Sequence, residues 1–166
     1  WLIRENIVAP EEMLLTTYTR KAAQELAPKL AAALPFRAES RQVMVSTLHA
    51  LAHKLLKDKH PDWNLAPEDF WDDLIKKSAK KAGLKAAAFA SLVSQVKNSP
   101  ALLPGETDLP DQAPEQFSAA FRYYNRTLTA HQCWDFDDLI LEAAPSGPFT
   151  LKAVLVDEFQ DLSAAQ

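Results

Sequence analysis

Two adjacent carboxylates, Asp157 and Glu158, are the residues of this chain best placed for chemistry. They follow a short apolar run at residues 153–156, which is rich in β-branched side chains and predicts a strand buried on both faces. In open α/β sheets, ligands bind outside the carboxyl ends of the strands. One acid there can hold Mg²⁺ on phosphate oxygens while the other activates water, so we assign Asp157 to the metal and Glu158 to the water. Alternatively, the two acids only begin the loop after a strand.

A strand followed by a helix cap occurs twice earlier in the chain. Residues 13–18 and 42–46 each predict a strand, and each is followed by a threonine, Thr19 or Thr47, that is suited to cap a helix. Pro28 lies inside the first of these helices and is expected to kink or shorten it. Strands that alternate with helices predict a parallel sheet, and the helix N-termini at its strand ends favour phosphate.

The middle of the chain changes to helices without strands. Apolar stripes predict three of them, over residues 67–82, 86–97 and 115–128. Prolines and a glycine within residues 100–114 predict a loop. Asp135 is expected to cap a further helix over residues 136–143, which a Pro-Ser-Gly-Pro turn joins to the strand before the two acids. The chain therefore reads as an α/β domain with an inserted all-helical subdomain.

Composition limits the class of protein. The chain has 166 residues, a formal net charge of -4 and 48% hydrophobic residues, which are typical of a globular domain and require any nucleic-acid contact to come from a local basic patch. The single cysteine, Cys133, excludes a disulfide framework and favours a reducing, cytoplasmic setting. No apolar run approaches the roughly 18 residues that a membrane span needs, so no membrane association is expected.

Four segments together resemble a known family. They are LLTTYTRKAAQEL at residues 14–26, VSTLHALAHKLL at 45–56, WDFDDLI at 134–140 and VLVDEFQD at 154–161. In content, order and spacing they closely resemble the UvrD/Rep-like branch of the superfamily 1 DNA helicases, with the first, second and last segments similar to motifs Ia, Ib and II. The resemblance covers nearly the whole chain.

The resemblance implies a motor that moves 3′ to 5′ along single-stranded DNA by hydrolysing ATP with Mg²⁺, in replication or repair. The expected fold is a partial RecA-like, P-loop NTPase parallel sheet with an inserted helical lobe. Residues 1–57 and 135–166 would form the RecA-like part, and residues 58–134 the lobe, which in this family lies near the duplex junction. Asp157 and Glu158 match the family's Mg²⁺-binding and water-activating acids, and Gln160 and Asp161 complete motif II.

The resemblance also implies DNA contacts. The matching positions are Thr17, Tyr18, Thr19 and Arg20 in motif Ia, and Thr47 and His49 in motif Ib. An aromatic side chain such as Tyr18 can stack on any base, and threonines at helix N-termini can donate to phosphates, so neither contact reads sequence. Alternatively, both threonines are plain caps and Tyr18 is a core residue. The family usually has Phe where this chain has Tyr18 and Leu48, which puts base stacking by motif Ib in doubt.

The resemblance is incomplete at one point. The glycine-rich loop G-x-x-x-x-G-K-[ST], which holds the β- and γ-phosphates, has no match around Gly83, Gly105 or Gly147. The chain begins at Trp1, which suggests a piece of a longer protein. We therefore expect that the chain alone neither hydrolyses ATP nor unwinds DNA, and that its truncated sheet self-associates. The alternative is a catalytically dead helicase-like module that binds DNA or a protein partner.

Other groupings of side chains have simpler explanations. His49 and His53 have the spacing of a helical zinc site but lack a third ligand. Lysines at positions 76, 77, 80, 81 and 85 are expected to form a solvated face, with a contact to the duplex backbone as the alternative. Asp135, Asp137 and Asp138 could join Asp157, Glu158 and Asp161 in a two-metal nuclease site, but helix capping and ion pairing explain Asp135 and Asp138 better.

Overall fold

The computed structural model describes residues 1–34, 43–99, 114–144 and 151–162. Contacts between these residues divide the chain into two compact units. The first unit contains the described residues within 1–52 and 146–162, and the second contains those within 53–145. None of the helices in the described ranges is both long and apolar enough to cross a lipid bilayer.

The first unit is built on a small parallel sheet. Its strands are β1 (Met13–Thr16), β2 (Met44–Ser46) and β5 (Ala153–Val156), in the order β2-β1-β5. Leu14 of β1 pairs with Met44 on one side and with Val154 on the other. The predicted parallel sheet is confirmed, and all three strands end at the same edge because they run in the same direction.

Helices follow two of these strands, as predicted. Helix α1 covers Arg20–Ala33 and helix α2 covers Leu48–Lys59. The hydroxyl oxygens of Thr19 and Thr47 each accept a hydrogen bond from the backbone N–H three residues further on, at 3.1 and 3.2 Å. Both threonines are therefore N-caps, which satisfy donors that the first helical turn leaves unpaired.

Two expectations about the first unit are wrong in whole or in part. Helix α1 continues five residues beyond Pro28, so the proline does not shorten it, and a kink at this position stays a prediction. Pro28 is exposed, and water can bond the carbonyl that the missing N–H leaves without a partner. Strand β5 is not buried on both faces, because Val154 is 53% exposed and Leu155 is 48% exposed. Within the described part of the sheet β5 is an edge strand, and an apolar run cannot itself supply the layers that would cover it.

The second unit is mainly helical. Its described elements are helices α3 (Glu68–Lys81), α4 (Ala86–Lys97), α5 (Phe117–Ala130) and α6 (Phe136–Ala143), and strands β3 (Asn64–Leu65) and β4 (Cys133–Trp134). The four predicted helices are confirmed. The two strands pair in parallel and contradict the expectation of helices alone, since two-residue strands show no sequence alternation. Residues 100–113 of the predicted loop and the turn at 145–148 lie outside the described residues.

One apolar core holds helices α3, α4 and α5 together. Phe89, Phe117 and Tyr124 lie at its centre with no exposed surface, and the Phe89 and Phe117 ring centroids are 5.4 Å apart. The remaining buried members are Leu74, Ile75, Ala79, Ala82, Val93, Val96, Ala120 and Leu128. These residues recur at helical spacing, so the predicted stripes are the faces that pack.

The lysines of α3, together with Lys85 just before α4, lie on the solvated side of the helical unit. The lysines at 76, 77, 80, 81 and 85 are all exposed. The Lys81 ammonium lies 4.5 Å from the centre of the Tyr123 ring, a cation–π contact at the surface. The predicted solvated face is confirmed, and a contact of this face with duplex DNA stays a hypothesis.

Candidate functional site

The shared edge of the parallel sheet brings three of the predicted site segments together. Thr17, Thr47 and Asp157 directly follow the ends of β1, β2 and β5. Backbone hydrogen bonds join neighbouring strands at these ends. The Asp157 N–H donates to the Thr16 carbonyl at 2.9 Å, and the Thr17 N–H donates to the Ser46 carbonyl at 3.2 Å. The arrangement follows from parallel strand order, because the carboxyl ends of parallel strands meet at one edge.

The two acids after β5 face solvent. Asp157 and Glu158 are both exposed. The Glu158 backbone has φ 56° and ψ 47°, the left-handed conformation that a residue with a side chain adopts at a cost of about 1–2 kcal/mol. Its carboxylate accepts a hydrogen bond from the Gln160 side-chain amide, and residues Phe159–Asp161 form a single 3-10 turn behind it. Strained backbone is a common property of functional sites.

These acids suit a magnesium ion that is also held by phosphate. Carboxylate oxygens are the ligands that Mg²⁺ prefers, and proteins commonly hold this ion through one or two carboxylates plus substrate phosphates and water. No group of three or more His, Cys, Asp or Glu side chains suited to a metal occurs in the described ranges. Asp157 and Glu158 supply two such carboxylates, which fits an ion that arrives with a nucleotide. Within the described ranges, no third His, Cys, Asp or Glu side chain joins His49 and His53.

The four motif Ia residues have different surroundings. Thr17 is buried, with 3% exposure, and its hydroxyl donates to the Thr19 carbonyl at 3.0 Å. Tyr18 is 60% exposed, so the alternative that it is a core residue is wrong. Thr19 and Arg20 are exposed at the start of α1. An exposed ring beside a free helix N-terminus leaves both a stacking face and backbone donors open to a ligand.

The two motif Ib residues are less accessible. Thr47 is 8% exposed, and its hydroxyl oxygen caps α2. His49 is half-buried in the first turn of that helix. The cap role of Thr47 leaves its hydroxyl proton available, so capping and phosphate contact remain compatible.

Sequence reasoning missed a buried charge cluster in the helical unit. Lys97, which is 3% exposed, donates to Asp135 at 2.7 Å and to Asp138 at 2.6 Å. The Tyr124 hydroxyl donates to Asp135 at 2.7 Å and accepts from the Trp71 indole N–H at 2.9 Å. We call these five residues the Lys97 cluster. A signal was present: Lys97 continues the i, i+4 stripe of Phe89 and Val93, where an apolar side chain is expected.

The same two acids begin helix α6. Asp135 accepts from the Asp138 N–H at 2.8 Å, and Asp138 accepts from the Asp135 N–H at 3.2 Å, which is a capping box. The predicted cap and ion-pair roles of both acids are confirmed. The cap and the ion pair account for both acids, so a two-metal nuclease site is not needed to explain them.

Burial and charge shift the pKa values in the Lys97 cluster. Burial raises the pKa of Asp138, the Lys97 charge lowers it and the nearby Asp135 charge raises it, and the net result is a pKa of about 6. Burial also raises the pKa of Asp135, but Lys97 and the hydrogen bonds from Tyr124 and the backbone lower it overall. Burial, followed by the Asp135 charge, raises the pKa of Tyr124 well above its ordinary range, so its hydroxyl remains a donor. The single cation Lys97 thus faces two acids, and Asp138 retains its proton to higher pH than Asp135 does.

We predict that Asp138→Asn changes how stability depends on pH. In the folded chain Asp138 titrates at about 6 rather than at its ordinary 3.8, so the folded state binds more protons between these values. The contribution of Asp138 to the free energy of unfolding is therefore present at low pH and falls as pH rises through about 6. Urea unfolding of both proteins near pH 4.5 and near pH 7 should show the wild type losing more stability than the variant.

The exposed residue Asp73 on α3 gives the matched control for this experiment. Asp73→Asn should not alter the difference in stability between the two pH values. A wild-type advantage over Asp138→Asn that grows with pH would contradict the prediction.

Comparisons with known proteins agree with the geometry of the sheet edge. The family model described as UvrD/REP helicase N-terminal domain matches residues 1–166. The ATP-dependent DNA helicase srs2 of Schizosaccharomyces pombe is 26% identical over 100% of this chain and 23% of its own length. The putative ATP-dependent DNA helicase YjcD of Bacillus subtilis is 29% identical over 96% of this chain and 24% of its own length. DNA helicase II of Haemophilus influenzae is 27% identical over 100% of this chain and 26% of its own length. The chain spans about a quarter of the length of these relatives.

Proposed function

Because the chain belongs to the UvrD/REP helicase N-terminal domain family, we propose that it is part of an ATP-dependent DNA helicase that moves 3′ to 5′ along single-stranded DNA in replication or repair. One observation carries the proposal. Thr17, Thr47 and Asp157 leave one edge of the sheet side by side, tied by backbone hydrogen bonds, so DNA-binding and nucleotide-binding segments share a rigid support.

On the nucleotide side, Asp157 would hold Mg²⁺ and Glu158 would orient and deprotonate the attacking water. The ion, when bound with ATP, neutralises charge on the phosphate oxygens. Gln160 donates to the Glu158 carboxylate and so restrains its direction. Exposure of both acids supports this role, because a nucleotide must reach them from solvent.

On the DNA side, the proposed contacts are Thr17, Tyr18, Thr19, Arg20, Thr47 and His49. Tyr18 supplies a base-stacking face, and the starts of α1 and α2 supply backbone donors for phosphates. Arg20 adds a positive charge at the first of these helix starts. All of these contacts tolerate any base, as a motor that moves along DNA requires.

Tyr18→Ala tests the DNA side directly. The side chain is 60% exposed, so its removal should leave the fold intact while one stacking contact is lost. We expect single-stranded DNA affinity to fall by about 1–3 kcal/mol, which is roughly fivefold to 150-fold. Fluorescence anisotropy with a labelled mixed-sequence oligonucleotide at fixed salt would measure the change.

Two control variants make the result interpretable. Tyr18→Phe keeps the ring and should bind nearly as the wild type does. Tyr123→Ala removes a tyrosine of the helical unit that contacts Lys81, and it should change affinity little. Equal binding by Tyr18→Ala and the wild type would refute the proposed contact.

We further propose that residues 1–57 and 135–166 belong to the RecA-like part and residues 58–134 to an inserted lobe at the duplex junction. The contacts within the chain divide it near residues 52 and 145, and α6 packs on α4 in the helical unit. The assignment of α6 to the RecA-like part therefore stays a prediction.

The exposed edge strand predicts self-association of this chain. Among the described residues β5 pairs on one side only, with β1, and its Val154 and Leu155 side chains are about half exposed. An unpaired apolar edge can accept a strand from a second molecule. Size-exclusion chromatography with light scattering should show dimers or larger species, and Leu155→Lys should shift them towards monomer. A monodisperse wild-type monomer at high concentration would disprove this expectation.

The second candidate function is a helicase-like module that binds DNA or a protein partner without catalysis. The paired acids Asp157 and Glu158, with Gln160 bonded to the second, favour the enzyme, because binding alone does not need them. We propose that the 166-residue chain by itself does not hydrolyse ATP, since no G-x-x-x-x-G-K-[ST] loop occurs in it.

A further inference from the structure

The helical unit contains a cleft whose lining residues differ in type from those at the sheet edge. Its volume is about 440 Å³, within the usual range of small-molecule sites. Helices α5 and α6 line its two sides, and β4 contributes Trp134. Aromatic rings and a few polar side chains together form its wall, which is the usual composition of a site for a planar organic group.

The aromatic wall contains Trp134, Trp63 and His60. The two indole centroids are 5.3 Å apart, and the His60 ring lies 6.0 Å from Trp63. Trp134 is only 3% exposed and anchors the group, whereas Trp63 is half-buried and His60 is exposed. The accessible rings of Trp63 and His60 offer π-faces on which another flat ring can stack.

Asn125 and Asp138 are among the polar side chains that line the cleft, together with Lys97, Thr129 and Glu142. Asn125 is half-buried, and its amide makes no hydrogen bond to any described residue. Asp138 accepts from Lys97 and from the Asp135 N–H, which uses about two of the four positions at which a carboxylate can accept. The cleft therefore retains an amide donor and acceptor and a carboxylate acceptor, the groups that bind the edge of a nucleobase.

A row of positive charge borders the same helix face. Arg122 and Arg126 follow the cleft-lining residues Phe121 and Asn125 by one position each, so they lie about a quarter turn around α5. Both arginines are exposed, and neither forms an ion pair with another described side chain. Guanidinium groups in this position are available to phosphates of a strand whose base enters the cleft.

We propose that this cleft binds one base of single-stranded nucleic acid, with a preference for bases that carry an exocyclic amino group, such as cytosine or adenine. The base stacks on Trp63 and His60, Asn125 pairs with its polar edge, and Asp138 accepts from the amino group. The inference rests on the proposed function for its choice of ligand. Thymine carries no exocyclic amino group, so it leaves the Asp138 position without a donor.

The test follows the Trp63 indole N–H by NMR in the whole chain during titration with (dC)₈, (dT)₈ or cytidine monophosphate. We expect the resonance to shift with (dC)₈ at concentrations about threefold to tenfold lower than with (dT)₈, the worth of one hydrogen bond. Asn125→Ala should weaken the (dC)₈ response by a similar factor. The matched amide control is Gln95→Ala, an exposed α4 side chain outside the cleft, and it should respond as the wild type does.

Each contrary outcome has a defined meaning. A Trp63 resonance that stays unmoved by (dC)₈, while Tyr18→Ala still weakens DNA binding, would overturn the cleft proposal and leave the proposed function standing. If the wild-type chain binds no nucleic acid at all, both the cleft proposal and the proposed function are wrong. If cytidine monophosphate shifts the Trp63 resonance as strongly as (dC)₈ does, the cleft binds a free nucleotide and the proposal of a base within a strand is wrong. If (dC)₈ and (dT)₈ shift the resonance equally, the preference for an exocyclic amino group is wrong.

Discussion

Lys97→Met is expected to lower the free energy of unfolding by about 3–5 kcal/mol near neutral pH, because it leaves the buried Asp135 and the half-buried Asp138 carboxylates without their cation. Met keeps the length of the side chain and its packing, so the loss comes from charge rather than from a cavity. Lys97 also lies 5.2 Å from the centre of the Tyr124 ring, and this cation–π contact is lost with it.

The loss should be smaller in mild acid. Asp138 has a raised pKa of about 6, so near pH 5 it takes up a proton and only Asp135 remains charged. Urea unfolding of both proteins at the two pH values measures this, with Lys85→Met as the control at an exposed position of the same helical unit. A loss below about 1 kcal/mol at neutral pH would mean that Lys97 does not balance the two acids.

Glu158→Gln is expected to reduce ATP hydrolysis about 10²- to 10⁴-fold in a protein that carries this chain together with a phosphate-binding loop. Glutamine keeps the shape of the side chain but cannot accept the proton of the attacking water. Single-stranded DNA binding should be unchanged, because Tyr18 and the helix starts remain. DNA-stimulated phosphate release and anisotropy on the same preparations would separate the two effects.

The control for this variant is Glu25→Gln, at an exposed position of α1. It should hydrolyse ATP as the wild type does. A loss of less than about tenfold in Glu158→Gln would remove Glu158 from the role of general base. Robust phosphate release by the 166-residue chain alone would contradict the proposal that this chain is inactive by itself.

Local sequence signals predicted the elements that support the site. The caps at Thr19, Thr47 and Asp135 were predictable because an N-cap depends on one side chain and the N–H three residues on. The helices of the inserted block followed from apolar spacing alone. The resemblance of the motif segments then assigned the acids and polar residues at the strand ends to ATP and to DNA, which local signals could not have done.

Features that depend on distant partners were missed. The burial of β5 depends on which elements cover its faces, and this cannot be predicted from the apolar residues of the strand itself. Lys97 was predicted only as a helix end, because its partners Asp135 and Asp138 lie about forty residues further along the chain. The pairing of β3 with β4 likewise joins distant dipeptides that are too short to show a period.

The register of the parallel sheet also constrains the order in which the chain can fold during synthesis. Leu14 pairs with Val154, so β1 can pair with β5 only after the whole helical unit between them has been synthesised. The helical unit is continuous in sequence and rich in local contacts, which favours early and fast folding. The edge that bears Asp157 is therefore completed after the helical unit, so a nascent chain acquires its helical unit before it acquires the strand that leads to Asp157.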